Sequence, residues 1–225
     1  MVGDIEKRKL VINKDVSYYK KKVNNNFYLK HVKRLLDIII TPVLILFSSP
    51  VLILTAILIK LTSKGPILFK QPRIGYQKKN FTCYKFRSMY YHTKDHNNPD
   101  HLEKDGILFK DKNDPRVTFI GKLIRRSSID ELPQLFNILK GEMSLVGPRP
   151  HLEFMAAPYP KFRTIRTLVL PGLSGYWQIK NRANNTSVLD MVDYDLYYLE
   201  HASFWLDIKI ILHTATAVIK AHGAY

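Results

Sequence analysis

The apolar residues of this chain fall into one long block and several short, broken ones. From Leu35 to Ile59 the sequence is almost continuously hydrophobic, relieved mainly by Asp37, Thr41, Pro42, Ser48, Ser49, Pro50 and Thr55. A helix of that length could cross a hydrocarbon core of about 30 Å. Two features argue that it turns back instead. Lys30, Lys33 and Arg34 precede the block and Lys60, Lys64, Lys70 and Arg73 follow it, and basic flanks at both ends place both on the same, cytoplasmic side. Pro50 then removes one N–H near the middle, where the hydroxyls of Ser48 and Ser49 can bond the carbonyls that a bend sets free. The expectation is a re-entrant helix-break-helix over residues 27–61 with its break at Ser49-Pro50; the alternative is a kinked single span.

Outside the block the patterning is weaker. Residues 1–26 are polar and basic, with Lys20-Lys21-Lys22 beside Tyr18 and Tyr19, and read as an arm that is either solvated or drawn to anionic lipid. No small-residue cleavage site follows the apolar block, so no cleaved leader is expected. From Ile67 to Met89 helical spacing is lost, and Gly75 with Gln77-Lys78-Lys79-Asn80 suggests a hairpin. Tyr90 to Asp105 is polar; its His92, His96 and His101 lack the spacing of a helical metal motif and read as a solvated loop. Asp114 to Gly121 reads as a turn and a short extended segment, and Pro171 to Ile179 as a turn and a strand carrying aromatics. Leu189 to Glu200 carries Asp190, Asp193 and Asp195 at mixed helical spacings, acids suited to pairing with arginines such as Arg182. Phe204 to Ile219 is amphipathic and short for a span, so it predicts an interfacial or core-packing helix. The whole reads as an α+β, mainly helical fold: an arm over 1–26, a membrane segment over 27–61 and one catalytic domain over 62–225.

Charge narrows the class of partner. Thirty-five Lys and Arg stand against 19 Asp and Glu in 225 residues, a formal net charge of +16, which implies anionic partners such as lipid headgroups, nucleotides or nucleic acid. The apolar block and the lack of a recognisable nucleic-acid module argue against the last. The single cysteine, Cys83, excludes an internal disulfide and has packing as its expected role.

In so basic a chain an acidic pair calls for a reason. Asp130-Glu131 follows Arg125-Arg126-Ser127-Ser128 and precedes Leu132-Pro133-Gln134. Two carboxylates among arginines suit a divalent metal or an electrophilic phosphorus held by cations. Ser128-x-x-Glu131 also fits a capping box for a helix running to Leu139, although that register puts Pro133 at the fifth helical position, where it forfeits a hydrogen bond. If the helix starts at Pro133, both acids lie in front of its positive end. Gly141 can close the helix. The loop that follows holds Arg149 between Pro148 and Pro150, and that stiff backbone suits a guanidinium presented to phosphate or to a base edge.

Taken in order, Lys33-Arg34-Leu35-Leu36-Asp37, Ser49-Pro50, Tyr84-Lys85-Phe86-Arg87-Ser88-Met89, Asp114-Pro115-Arg116-Val117, Asp130-Glu131-Leu132-Pro133-Gln134-Leu135, Met143 to Pro150, Pro171-Gly172-Leu173-Ser174-Gly175 and Trp205-Leu206-Asp207-Ile208-Lys209 resemble the bacterial sugar transferases, the monotopic polyprenyl-phosphate phosphoglycosyl transferases. The resemblance runs from about Phe27 to about Lys220. It implies an enzyme of the bacterial inner membrane, working at the cytoplasmic face, that moves a sugar 1-phosphate from a UDP-sugar to undecaprenyl phosphate and releases UMP. It implies Asp130 as the nucleophile of a covalent aspartyl-phosphosugar, Glu131 as the second member of the dyad, and Mg2+ held with help from Asp130. Lys85, Arg87, Arg125, Arg149 and Arg182 match basic family positions expected at phosphate or nucleotide, with Pro148 and Pro150 framing the uridine end. Many members have glycine where Asn181 precedes Arg182. Tyr176-Trp177 resembles a version found in members that transfer hexose phosphates, which favours UDP-glucose or UDP-galactose over an N-acetylated or diamino sugar. A basic, membrane-anchored scaffold without catalysis is the rival reading, and the C-terminal helix could pack on the domain, on lipid or on a second copy in a homodimer.

Overall fold

The computed structural model describes residues 15–91, 103–104, 107–108, 114–181 and 188–219. The histidine-bearing loop residues His92, His96 and His101, together with Arg182, lie outside them. Within them the chain is mainly helical, with three two-stranded sheets.

The long helix, α2 (Lys33–Thr62), enters through a wide turn at Tyr28–Val32 and contains both Pro42 and Pro50. It is one helical element, so the expected division into two helices at Ser49-Pro50 is not observed. The reason lies in the hydroxyls. Pro50 cannot donate to the carbonyl of Leu46, and the Ser49 hydroxyl donates to that oxygen instead at 2.7 Å, while the Ser48 hydroxyl reaches the Leu44 carbonyl at 2.7 Å. Thirty residues at 1.5 Å each give about 45 Å measured along its axis. Its middle, from Val43 through Phe47 to Leu54, presents large apolar side chains outward, Phe47 78% exposed among them. Each of its two ends packs one side on the rest of the molecule, through Lys33, Asp37 and Thr41 at the start and Thr55 and Ile59 at the close.

At the first end Lys33 and Asp207 form a buried ion pair, and the Tyr28 and Tyr198 hydroxyls donate to the same carboxylate at 2.6 and 2.9 Å. Two stretches nearly the whole chain apart, the Lys33-Arg34 and Asp207 motifs, are thus one structural device. Arg34 donates to the carbonyls of Ile138 and Leu139, and Asp37 accepts from the backbone N–H of Leu145. At the second end Ile59 sits in a core with Phe86, Ile120 and Ile124, and the guanidinium of Arg87 takes the carbonyls of Ser63 and Lys64. A guanidinium on the last carbonyls of a helix satisfies acceptors that have no partner within it.

The hairpin expected over 67–89 is present: β1 (Leu68–Ile74) pairs antiparallel with β2 (Asn80–Phe86), Leu68 opposite Phe86 and Ile74 opposite Asn80. Two further short strands, β3 (Glu103–Lys104) and β4 (Ile107–Leu108), pair with each other. The segment expected to be a turn and an extended run is a turn at Pro115-Arg116 followed by Val117 bridged to Met89, and only its last three residues, from Phe119, enter a helix. Thr118 accepts from the N–H of Gly121 and so caps α3 (Phe119–Arg126). The dyad lies on a short 3-10 turn at Ile129–Glu131, and α4 (Gln134–Lys140) follows, with Pro133 at its N-cap and Gly141 closing it at φ 81°. Ser128 stands at φ 57° without a capping hydrogen bond, so the capping box is not formed and the helix starts at Pro133.

A parallel pair, β5 (Ser144–Val146) and β6 (Gly172–Ser174), brackets two short helices, α5 (Glu153–Ala156) and α6 (Pro160–Arg166). The strands approach so closely at Gly147 and Gly172 that a Cβ on Gly147 would fall 2.5 Å from the Leu170 carbonyl oxygen. The aromatics Tyr176 and Trp177 begin α7 (Tyr176–Asn181), where a strand is expected from the sequence. The amphipathic segments α8 (Val188–His201) and α9 (Phe204–Ile219) complete the body. Packing on the domain is part of the role of α9: Ile210 is fully buried in the core of Leu135, Ile138 and Met143, while Trp205 remains exposed.

The arm divides. Residues 1–14 lie outside the described residues, but Asp15 caps α1 (Val16–Asn25), which packs on the body rather than trailing in solvent. Tyr19 is buried among Met155, Phe162, Ile165 and Leu199, and its hydroxyl donates to Glu200 at 2.7 Å. Lys20, Lys21 and Lys22 point outward, as the helical period requires once Tyr19 faces the core.

Candidate active site

Four elements converge on the acidic pair. The 3-10 turn carries Asp130 and Glu131, β2 carries Lys85, α3 ends in Arg125, and the loop after β5 carries Arg149. One oxygen of Glu131, Oε1, accepts from Lys85 Nζ and from Arg149 Nη2, both at 2.7 Å. Burial opposes the charged form of Glu131, but Arg149 and Lys85 outweigh it and hold the carboxyl well below its ordinary range. Glu131 is a fixed anion that ties two cations to the turn.

Asp130 is its opposite. It makes no hydrogen bond and no ion pair with another described residue. Burial lifts its pKa to about 6; Glu131 pushes in the same direction, while Lys85, Arg125 and Arg149 pull back. Two neighbouring carboxylates are therefore driven apart by their surroundings, one consumed in pairing and the other basic, uncommitted and facing cations. Ser128, immediately before the turn, adopts a left-handed conformation that costs a non-glycine residue about 1–2 kcal/mol.

Arg125 donates through Nε to the Ser88 hydroxyl at 2.8 Å and contributes its charge to Asp130. Pro148 and Pro150 are buried on either side of Arg149. Arg87 is only 4% exposed, and its guanidinium is occupied by Ile59, Ser63 and Lys64 at the end of α2. The structure thus gathers Lys85, Arg125, Arg149, Asp130 and Glu131, commits Arg87 to the end of α2, and describes no position for Arg182. Cys83 is 1% exposed and packs in the core, as expected.

Three residues, Arg73, Arg166 and Gln134, escape sequence reasoning. Arg73 lies behind the site, where burial, with the charge of Arg149 acting in the same direction, lowers its pKa to about 10; in the sequence it reads only as a flanking charge of the apolar block. Arg166 and Asp195 pair at 2.8 Å, each side chain 5% exposed. The hint is the excess of acid in α8, which needs buried cations if it is to face the core. Gln134 is 3% exposed with Nε2 unpartnered among the described residues.

Among the described residues no group of three or more His, Cys, Asp or Glu could by itself hold a metal ion. Mg2+ is commonly bound through one or two carboxylates with substrate phosphates completing its shell, and the uncommitted oxygens of Asp130 meet that requirement.

The family model for bacterial sugar transferases matches residues 28–221, and the chain belongs to that family. It is 38% identical over 200 residues to the UDP-N-acetylgalactosamine-undecaprenyl-phosphate N-acetylgalactosaminephosphotransferase of Aeromonas hydrophila, covering 86% of this chain and 45% of that one. It is 41% identical over 200 residues to the UDP-glucose:undecaprenyl-phosphate glucose-1-phosphate transferase of Klebsiella pneumoniae, covering 86% and 41%. The chain thus spans less than half the length of these two relatives. With the exopolysaccharide production protein ExoY of Rhizobium meliloti it shares 37% identity over 199 residues, 86% of this chain and 88% of the other.

Proposed function

We propose that this protein transfers a sugar 1-phosphate from a UDP-sugar to undecaprenyl phosphate, releasing UMP, through a covalent intermediate on Asp130. The observation that carries the proposal is the split dyad: an unpaired, basic Asp130 beside a fully paired Glu131. The named activities of the family relatives support the reaction class. A carboxylate oxygen of Asp130 attacks the β-phosphorus of the UDP-sugar, and the bridging oxygen leaves with UMP. The phosphate oxygen of undecaprenyl phosphate then attacks the same phosphorus, restoring Asp130 and giving the undecaprenyl diphosphate sugar. Phosphoryl transfer asks a protein chiefly for position and charge neutralisation. Lys85, Arg125 and Arg149 supply the cations, and Glu131 holds two of them in place. Mg2+, with Asp130 as its protein donor, would neutralise the diphosphate further. Three relatives differ in the sugar that they are named for, N-acetylgalactosamine, glucose and galactose; the Tyr176-Trp177 pattern favours the hexoses here.

We further propose that α2 dips into the cytoplasmic leaflet of the inner membrane and returns by bending, as one continuous helical element, at Ser49-Pro50, where Pro50 lacks the N–H and the serine hydroxyls cover the carbonyls. Both of its ends are bonded to one body, through Lys33, Arg34 and Asp37 at the start and through Arg87 at the close, while its middle is exposed and apolar. A span would carry its ends to opposite faces of the bilayer. Exposed Phe119, Leu123, Phe136 and Leu139 on α3 and α4 suit the same lipid surface. An active site at headgroup depth meets the acceptor phosphate while the prenyl tail stays in lipid. The test is UMP release by the full chain in nanodiscs with Mg2+, undecaprenyl phosphate and a panel of UDP-hexoses and UDP-N-acetylhexosamines. Turnover with one donor class, abolished in Asp130→Asn, is expected; no release with any donor would overturn the reaction.

A further inference from the structure

Four consecutive carbonyls of the loop that carries Arg149 are each taken by a donor from elsewhere. Pro148 O accepts from Gly172 N at 2.9 Å, Arg149 O from Arg166 Nη2 at 2.7 Å, Pro150 O from Arg73 Nη1 at 3.0 Å and His151 O from Ile74 N at 3.0 Å. Prolines at 148 and 150 leave the loop with fewer N–H groups of its own, so its carbonyls carry the burden of fixing it. Two of the four donors are guanidiniums. Arg166 is 5% exposed and held from behind by Asp195 at 2.8 Å, with its planar group lying 5.1 Å from the centre of the Phe162 ring. Arg73 is anchored by Gln71 Oε1 at 2.6 Å.

Burying an arginine and an aspartate to fill space is an expensive choice, because apolar side chains of similar volume commonly serve stability as well or better. The two charges therefore need another explanation. A ligand is not it: the cavity beside them, lined by Arg149, His151, Arg163 and Arg166, measures about 10 Å³, room for a single water. What the pair does touch is the backbone of the residue whose side chain bonds Glu131.

We propose that Arg166, braced by Asp195 and assisted by Arg73, is a positioning residue that sets where the Arg149 guanidinium stands relative to the dyad. This rests on the reading of Arg149 as a substrate-facing cation. Arg166 touches neither dyad carboxylate in the structure; it acts through the Arg149 carbonyl. Displacement of a charged group by about 1 Å can cost a hundredfold in rate, so a modest loosening of the loop is enough to matter.

The test compares Arg166→Met, Arg166→Lys and Arg73→Met in the full chain. In Arg166→Met, kcat/KM for the UDP-sugar, read at a temperature where the variant is folded because the change strands the buried Asp195, is expected to fall about tenfold to a hundredfold, and Arg166→Lys, which keeps one donor and the charge of the pair, to recover part of it. In an Arg149→Ala background the same Arg166→Met change should cost less than about threefold, since the group that it positions is gone. Equal losses in both backgrounds, or wild-type kinetics in Arg166→Met, would overturn the proposal. Hydrogen exchange supplies a readout independent of turnover: the peptide spanning 147–152 should exchange at least about tenfold faster in Arg166→Met, with α4 unchanged. Unaltered exchange there refutes the clamp even if the protein proves inactive towards every UDP-sugar. Should Arg166→Met fail to fold, Arg73→Met probes the next carbonyl and must show the same local loosening.

Discussion

Replacing Asp130 by asparagine should make the protein more stable while abolishing its activity. Burial holds the Asp130 carboxyl at about 6, against an ordinary value of 3.8. The folded state therefore keeps a proton that the unfolded chain has already released between roughly pH 4 and pH 6, and stability contributed by this group falls as the pH climbs through that window. Above pH 7 the loss is complete. Two units at about 1.4 kcal/mol each give about 3 kcal/mol as an upper figure, and relaxation around the charge brings the expected cost to about 1–3 kcal/mol. Asparagine is isosteric and uncharged, so it removes the cost. For a domain of this size each kcal/mol moves Tm by about 2–4 °C. Thermal unfolding of both proteins in the same detergent should give an advantage to Asp130→Asn of about 3–10 °C at pH 7.5, shrinking as the pH approaches 4. An asparagine variant less stable than wild type at pH 7.5, or a difference independent of pH, would refute the electrostatic account of the dyad.

The same elevated pKa of Asp130 predicts an acid limb in kcat/KM: the nucleophile must be ionised, so the logarithm should drop with unit slope below about pH 6, and a profile flat down to pH 5 contradicts the assignment. Lys33→Met strips the buried Asp207 of its cation and should cost about 3–5 kcal/mol in unfolding measurements, whereas the pair Lys33→Met with Asp207→Leu should cost clearly less. Cysteines placed at Lys30 and Lys64 should both react with an impermeant reagent from the same side of sealed vesicles, since Cys83 is buried; labelling from opposite sides would replace the re-entrant helix with a span. Ser128→Val, which puts a β-branched residue at φ 57°, should lose more than about 1 kcal/mol, and Ser128→Gly, which adopts that conformation without strain, should lose clearly less.

Much of the architecture can be read from local signals. The apolar block, the hairpin around Gly75 and the cap at Gly141 each follow from a few adjacent residues, and the structure contains all three. Where local reading fails, the cause is distant. Tyr18 and Tyr19 look like part of a soluble arm because the pocket that receives Tyr19 is built from residues beyond 150. The helix at Phe119–Arg126 is masked by the extended look of Val117-Thr118-Phe119, although the Thr118 cap is a local signal that could have revealed it. Asp130 and Glu131 stand out in a basic chain, but nothing local distinguishes a paired acid from a free one; that follows only once Lys85 and Arg149 arrive from other elements. Arg87 shows the converse. Its motif suggests a phosphate contact, and its guanidinium is found on the carbonyls just past the end of α2.

The central claim is the covalent step, and one measurement addresses it directly. The full chain is incubated with Mg2+ and a UDP-sugar labelled in the sugar, without acceptor, and both UMP release and label on the protein are followed. The account predicts a burst approaching one UMP per chain, label in the peptide that contains Asp130, its discharge on adding undecaprenyl phosphate, and none of this in Asp130→Asn. UMP that appears only after acceptor is added, with no labelled protein at any time, would contradict it.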